Sequence, residues 1–184
     1  MEKKITLHDK TFKMYIPNED IEKAIDTVAA QMNRDFAGST DSNAPIMICT
    51  LNGAVLYAAE LLKRLDFPVE FKAIKLSSYE GTHSTGKVKA ELPAALGDLR
   101  GKTVIVVEDI VDTGNTIVAM KDILEGMGVE KIIISTLLLK PEVYKKDVKL
   151  DYVALRIPNR FIVGFGLDYN ELGRNIKDIY VLDQ

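Results

Sequence analysis

The sequence predicts an α/β fold in which a central, mostly parallel sheet is flanked by helices. Three observations support this. Ile46–Leu51 and Ile132–Leu139 are short apolar runs, and Lys102–Val107 is almost entirely β-branched, the composition of strands buried on both faces. Segments with apolar residues at helical spacing separate these runs. The order strand, helix, strand, helix then requires crossover connections, which make neighbouring strands parallel.

Taken along the chain, Lys3–Tyr15 has a strand-like pattern. Pro17-Asn18-Glu19-Asp20 reads as a helix start, with Asn18 as the cap and the acids favoured at the positive end of the helix. Ile21, Ile25, Val28 and Met32 then share one helical face. Asp35–Asn43 is polar and reads as a loop. The run Ile46–Leu51 ends at Asn52-Gly53, and Leu56, Ala59, Leu62 and Leu65 follow at helical spacing. Val69–Leu76 alternates as a strand does, and Ser77–Lys89 crowds Ser, Thr and Gly residues and reads as a loop too polar to pack. A further helix passes through Ile117, Met120, Ile123 and Leu124 and ends near Gly126. Short strand-like pieces follow, notably Phe161–Phe165. The expected organisation is a single domain over residues 1–184, with a core at about 18–144 and a small hood lobe built from about 1–17 and 145–184.

The bulk composition narrows the function. The chain has 184 residues and a net charge of −3, a balance that argues against non-specific nucleic-acid binding. The one cysteine, Cys49, lies inside an apolar run and reads as a small buried hydrophobe in a reducing compartment. No stretch approaches the ~20 apolar residues of a membrane span, and no signal-peptide pattern opens the chain. The expectation is a cytoplasmic protein with no membrane partner. The two histidines, His8 and His83, are far apart and no Cys/His cluster exists, which disfavours zinc. Neither a dinucleotide-binding glycine motif nor a phosphate loop ending in Gly-Lys-Ser/Thr is present.

The central chemical signal is Val106-Val107-Glu108-Asp109-Ile110-Val111-Asp112-Thr113-Gly114-Asn115-Thr116. A buried strand delivers acids to the carboxyl edge of a sheet, where open α/β sheets bind ligands. A turn of small polar residues then opens a helix whose free N–H groups, with the hydroxyls of Thr113 and Thr116, suit a phosphate dianion. Gly114 lets the backbone approach closely. Carboxylates beside a phosphate need sugar hydroxyls or Mg²⁺ to offset repulsion, so the loop suits a ligand bearing both a phosphate and a diol. The competing reading is an acidic capping turn, and the two acids earlier on the same strand argue against it.

This segment resembles the signature of the type I phosphoribosyltransferases, in particular their purine (hypoxanthine-guanine) branch. The resemblance implies that family's fold and transfer of a phosphoribosyl group from phosphoribosyl pyrophosphate (PRPP) to a 6-oxopurine, with release of pyrophosphate and a requirement for Mg²⁺. It implies that Glu108, Asp109, Asp112, Thr113, Gly114, Asn115 and Thr116 hold the phosphate and ribose, and that Asp112 accepts the purine N7 proton. Leu51-Asn52-Gly53-Ala54 matches the pyrophosphate loop, although Asn52 stands where lysine is common. The backbones of Asn52, Gly53 and Ala54 then meet pyrophosphate, and the family loop can carry a non-proline cis peptide. Ser77-Ser78-Tyr79-Glu80-Gly81 through Ser84-Thr85-Gly86 resembles the catalytic lid, with Ser78 and Tyr79 as its contact residues. Lys140, Phe161, Ile162 and Asp168 fall at purine-site positions, with Phe161 stacking on the purine, the backbone of Ile162 meeting its edge, and Lys140 selecting a 6-oxo group because an ammonium only donates. Arg174 falls at a pyrophosphate position, and Glu108, Asp109 and Asp168 at metal positions. The family usually forms dimers or tetramers. A PRPP-binding regulator without catalysis, and an enzyme acting on another base, are the rival readings.

Overall fold

The computed structural model describes residues 3–75 and 96–183. Its core is a five-stranded, all-parallel sheet in the order β4-β3-β5-β6-β7. The strands are β3 (Ile46–Leu51), β4 (Glu70–Lys75), β5 (Thr103–Val111), β6 (Lys131–Leu139) and β7 (Tyr152–Arg156). The apolar runs fill the middle of the sheet because only strands covered on both faces can bury every side chain. The first six residues of β5 include Val104–Val107, all fully buried. That strand is longer than its apolar run: Glu108–Val111 continue the ladder beside β6, so the first two acids are strand residues.

Helices α1 (Asn18–Asp35) and α2 (Val55–Leu62) cover one face, and α3 (Asn115–Gly126) covers the other. In α1 the expected residues Ile21, Ile25, Val28 and Met32 are all buried. The cap differs from expectation. Pro17 is the N-cap residue, while Asn18 lies inside the helix and its side chain donates to Glu22 Oε1 at 2.7 Å. In α2 the buried row is Tyr57, Ala58 and Leu61, and Ala59 faces outward. The segment Val55–Ala59 is apolar all round, so periodicity alone gives it no phase.

The two chain ends meet in a second, antiparallel sheet of order β1-β2-β9-β8. Its strands are β1 (Lys4–Leu7), β2 (Lys10–Ile16), β8 (Ile162–Val163) and β9 (Ile179–Leu182). Strand β7 lies within 145–184 yet extends the core sheet beyond β6, so the core reaches past residue 144. The small sheet is not separate from the core: Ile162, Phe165, Leu167, Ile179 and Val181 share one apolar cluster with α1, α2 and the middle strands.

Asp178 joins the lobe to the core. Its carboxylate is 7% exposed, accepts the Asn18 backbone N–H at 3.0 Å and pairs with Lys3 at 2.7 Å. Lys3 first, and the Asn18 N–H second, hold its pKa below the ordinary aspartate value. Deprotonation therefore favours the folded state, and this stability is lost as pH falls through the acid range. Asp178→Ala should cost about 1–3 kcal/mol, by leaving the Asn18 donor without its acceptor. Thermal melts should show the deficit at neutral pH and its shrinkage toward pH 3, with a smaller deficit for Asp178→Asn.

Candidate active site

At the carboxyl edge of the sheet the central strands turn from apolar to polar side chains. On β3 the change comes at Thr50, on β5 at Glu108, and after β6 at Lys140. The parallel register places Cys49 opposite Val107, so Thr50 and Glu108 come level one residue later. Thr50 Oγ1 lies 2.6 Å from Glu108 Oε2 and 2.8 Å from the Val107 carbonyl oxygen. The other carboxyl oxygen of Glu108, Oε1, is buried with no hydrogen-bond partner. Burial, and secondarily the neighbouring Asp109, pushes the Glu108 pKa up to about 8 against the opposing Thr50 hydrogen bond.

Asp109 points to the opposite face, as strand pleating requires. Its Oδ1 accepts the Ile110 N–H at 2.9 Å. Burial raises its pKa to about 6, opposed by that N–H and by Arg174, while Asp168 adds to the rise. Gly53 lies directly against it: a Cβ there would sit 1.6 Å from Asp109 Oδ2. A Cβ on Gly166 would in turn lie 2.0 Å from the Gly53 carbonyl oxygen. Three distant segments thus meet with no space for side chains between them.

The Leu51–Asn52 peptide bond is cis, as the resemblance allowed. The Ala54 N–H is already directed to the Thr50 carbonyl at 3.3 Å. Of the three amides expected to meet pyrophosphate, that of Ala54 therefore already has a backbone partner. Gly114, at φ 79°, is the N-cap of α3, and the ring of Tyr144 lies over it, 2.4 Å from where a Cβ would fall. Thr113, Asn115 and Thr116 are exposed around that helix start.

Asp112 and Lys140 are paired, with Nζ 2.9 Å from Oδ2. The Lys140 side chain is 10% exposed and that of Asp112 42%, so the pair forms one wall of the edge with the acid toward solvent. Arg174 pairs with Asp168 at 2.7 Å and donates to the Gly166 carbonyl at 2.9 Å. Phe161 is exposed at 46%, while the neighbouring Ile162 is buried. Ser78 and Tyr79 lie outside the described residues, as does the rest of the expected lid.

Cys49 is buried, and burial together with Glu108 and Asp109 pushes its thiol up to about 11, so it is no nucleophile. Sequence reasoning missed Thr50, Gly166 and Tyr144. Thr50 was visible as the one hydroxyl ending an apolar strand; the other two act through contacts distant in sequence.

A parallel α/β sheet that carries acids and a helix start at its carboxyl edge is the architecture of a phosphoribosyl transferase domain, and the comparisons agree. Residues 12–170 match the family model of the phosphoribosyl transferase domain. The hypoxanthine-guanine phosphoribosyltransferase of Streptococcus thermophilus is 39% identical over 173 residues, covering 94% of this chain and 93% of that protein. That of Streptococcus pneumoniae is 36% identical over the same coverage. Among solved structures, a hypoxanthine phosphoribosyltransferase of Staphylococcus aureus superposes with a TM-score of 0.79 at 32% identity, covering 92% of this chain and 90% of that one. One from Trypanosoma cruzi gives 0.83 at 28%, covering 97% and 95%. The chain belongs to the hypoxanthine-guanine phosphoribosyltransferase family.

Glu108 generates a pH test. Its folded pKa, near 8, exceeds the unfolded value near 4.5, so the folded chain binds more protons between them and stability falls as pH rises across that window. Glu108→Gln should flatten the dependence, melting higher than the parent at pH 9 and close to it at pH 5. The gain should be several degrees, at roughly 2–4 °C per kcal/mol for this size. Parallel melting profiles for the two proteins would count against a buried neutral acid.

Proposed function

We propose that this chain carries out purine salvage: it transfers the 5-phosphoribosyl group of PRPP to hypoxanthine or guanine, giving IMP or GMP and pyrophosphate. The reading rests above all on the Asp112–Lys140 pair, 2.9 Å apart beside the helix start that suits the 5′-phosphate. One residue accepts a proton and the other only donates hydrogen bonds, and a 6-oxopurine offers N7–H and O6 on the same edge.

In this reaction purine N9 attacks the anomeric carbon as the bond to pyrophosphate breaks. Asp112 takes the N7 proton, and Lys140 donates to O6. Asp109, ionised above about pH 6, opposes the positive charge that develops on the ribose. Glu108, with its raised pKa, serves a ribose hydroxyl as a hydrogen-bond partner. The amides of α3, with Thr113, Asn115 and Thr116, hold the 5′-phosphate. Asn52, Gly53 and Arg174 receive the departing pyrophosphate, and Phe161 and Ile162 border the base together with Asp168.

Mg²⁺ fits the donor set. Asp109 and Asp168 raise no cage of three or more ligands among the described residues, and Mg²⁺ is typically held by one or two carboxylates together with substrate phosphates. Asp109 and Asp168 would hold it, while Glu108, expected at a metal position, lies on the other face of β5 against Thr50; when bound, Mg²⁺ would neutralise charge on pyrophosphate. We further propose a cytoplasmic homodimer or homotetramer organised as one domain with its hood lobe. No helix among the described residues is long and apolar enough to cross a membrane.

Steady-state assays with PRPP, Mg²⁺ and each purine should show turnover on 6-oxopurines and none on adenine. PRPP binding without pyrophosphate release for any base would instead identify a regulator. Asp112→Asn should lower kcat about 10²-fold or more while leaving PRPP affinity within a few-fold; equal loss of both would remove the base role. Lys140→Ala should raise the KM for hypoxanthine about tenfold or more, as loss of a charged hydrogen bond does. An unchanged KM would take Lys140 out of the pocket.

A further inference from the structure

We infer that Tyr169 is a positioning residue for the purine site, and that the tip of the β1–β2 hairpin holds it in place. Two independent sets of observations converge on this contact. The first is a network that joins the chain's two ends. Tyr169 Oη donates to Asp9 Oδ1 at 2.7 Å, and His8 Nε2 lies 3.1 Å from the Asn170 carbonyl oxygen. The His8 ring meets the Tyr169 ring edge-on at 5.7 Å, and Lys10 Nζ stands 5.5 Å from the Tyr169 ring centre. On its other side Tyr169 is perpendicular to Phe161, with centroids 5.7 Å apart at 86°, and Phe12 of β2 tilts against both rings at 6.1 Å. Edge-to-face aromatic pairs have preferred geometry, so fixing one ring restricts the other.

The second observation is backbone conformation. Among the described residues other than glycine, positive φ occurs at His8 (51°), Phe165 (49°), Asn170 (48°) and Glu171 (68°). This region of φ is disfavoured for residues with a Cβ and is what the central residues of a two-residue hairpin turn adopt. Three of the four belong to the hairpin tip and the loop that it touches. On both sides of the contact these residues form tight two-residue turns, His8-Asp9 between the paired Leu7 and Lys10 and Asn170-Glu171 between the bridged Tyr169 and Leu172, so each side presents a sharp, locally fixed turn to the other. Asp168, adjacent to Tyr169, accepts the Glu171 N–H at 2.8 Å and pairs with Arg174. The hairpin therefore sets the Phe161 ring directly and meets the acidic loop at its turn.

This rests on the reading of Phe161 as the residue that stacks on the base. The consequence is specific: loss of the Tyr169 ring frees Phe161 and weakens purine binding, while the phosphate loop and PRPP are untouched. The test is steady-state kinetics of the full chain, varying purine and PRPP separately. Tyr169→Ala should raise the KM for hypoxanthine roughly three- to tenfold, the range of one aromatic pair, with KM for PRPP within twofold. Tyr169→Phe and Asp9→Ala should each give a smaller rise of about twofold. The double variant Tyr169→Phe/Asp9→Ala should be no worse than either single one, because both remove the same hydrogen bond. An unchanged purine KM in Tyr169→Ala, or an equal rise in both KM values, overturns the proposal. Phe161→Ala separates the two readings. If it too leaves purine KM unchanged, the stacking role itself fails; if it raises purine KM and Tyr169→Ala does not, only the positioning role fails.

Discussion

The site depends on a close approach of backbone to a carboxylate. Asp109 Oδ2 lies where a Cβ of Gly53 would fall, and Gly166 closes on the Gly53 carbonyl from the other lobe. The loop after β3, the end of β5 and the segment after β8 are thereby held at a separation that no side chain could bridge. The parallel ladder sets the first two relative to each other, through Cys49 opposite Val107. The shared apolar cluster sets the third, through Phe165 and Leu167 packed with α1 and α2. Burial in that contact also raises the pKa of Asp109, so the same packing that locates the acid tunes it.

Charge at the edge is stored in pairs. Lys140 is held by Asp112 and Arg174 by Asp168, so each cation proposed to meet an anionic or carbonyl oxygen already has a carboxylate partner. Leaving a partly buried lysine or arginine unpaired would be costly, and pairing keeps each side chain in place. A ligand that brings its own oxygens and protons exchanges one partner for another rather than creating contacts from nothing. Binding through such exchange favours discrimination over raw affinity, because a base with the wrong donor pattern at its edge leaves one member of the pair unsatisfied.

The fold was legible where the chain is apolar on a clear period. The buried strands β3, β5 and β6 and the inward face of α1 follow directly from residues such as Val104–Val107 and Ile21, Ile25, Val28 and Met32. Phase was lost in α2, where Val55–Ala59 is apolar on every side, and the α1 cap shifted because Asp178, 160 residues away, receives the Asn18 N–H. In the site, Asp112 and Lys140 were readable as residue types, and the structure adds that they touch. The Gly53–Gly166 and Tyr144–Gly114 contacts were not readable, since each joins elements that only the tertiary fold brings together. The backbone partner of the Ala54 amide was not readable either, because the local turn back to Thr50 leaves no mark in the residue pattern.

The position of these errors follows from how the sheet divides its work. Inside the sheet, most side chains have one favourable choice, an apolar group of suitable volume, and the sequence pattern states it directly. At the carboxyl edge the same strands carry Thr50, Glu108, Asp109 and Lys140, whose environment works against local preference. Glu108 is buried with one oxygen unsatisfied, and such a group persists only because the surrounding core holds it there. The covering clusters on both faces supply that support, since Val104 and Val106 pack toward α3 while Ile105 and Val107 pack toward α2. Stability is thus concentrated a few residues before the chemistry on each strand. A substitution at Val106 or Val107 would act on the acids through the strand that carries them, whereas one at Glu108 removes a buried carboxyl group and leaves that strand intact.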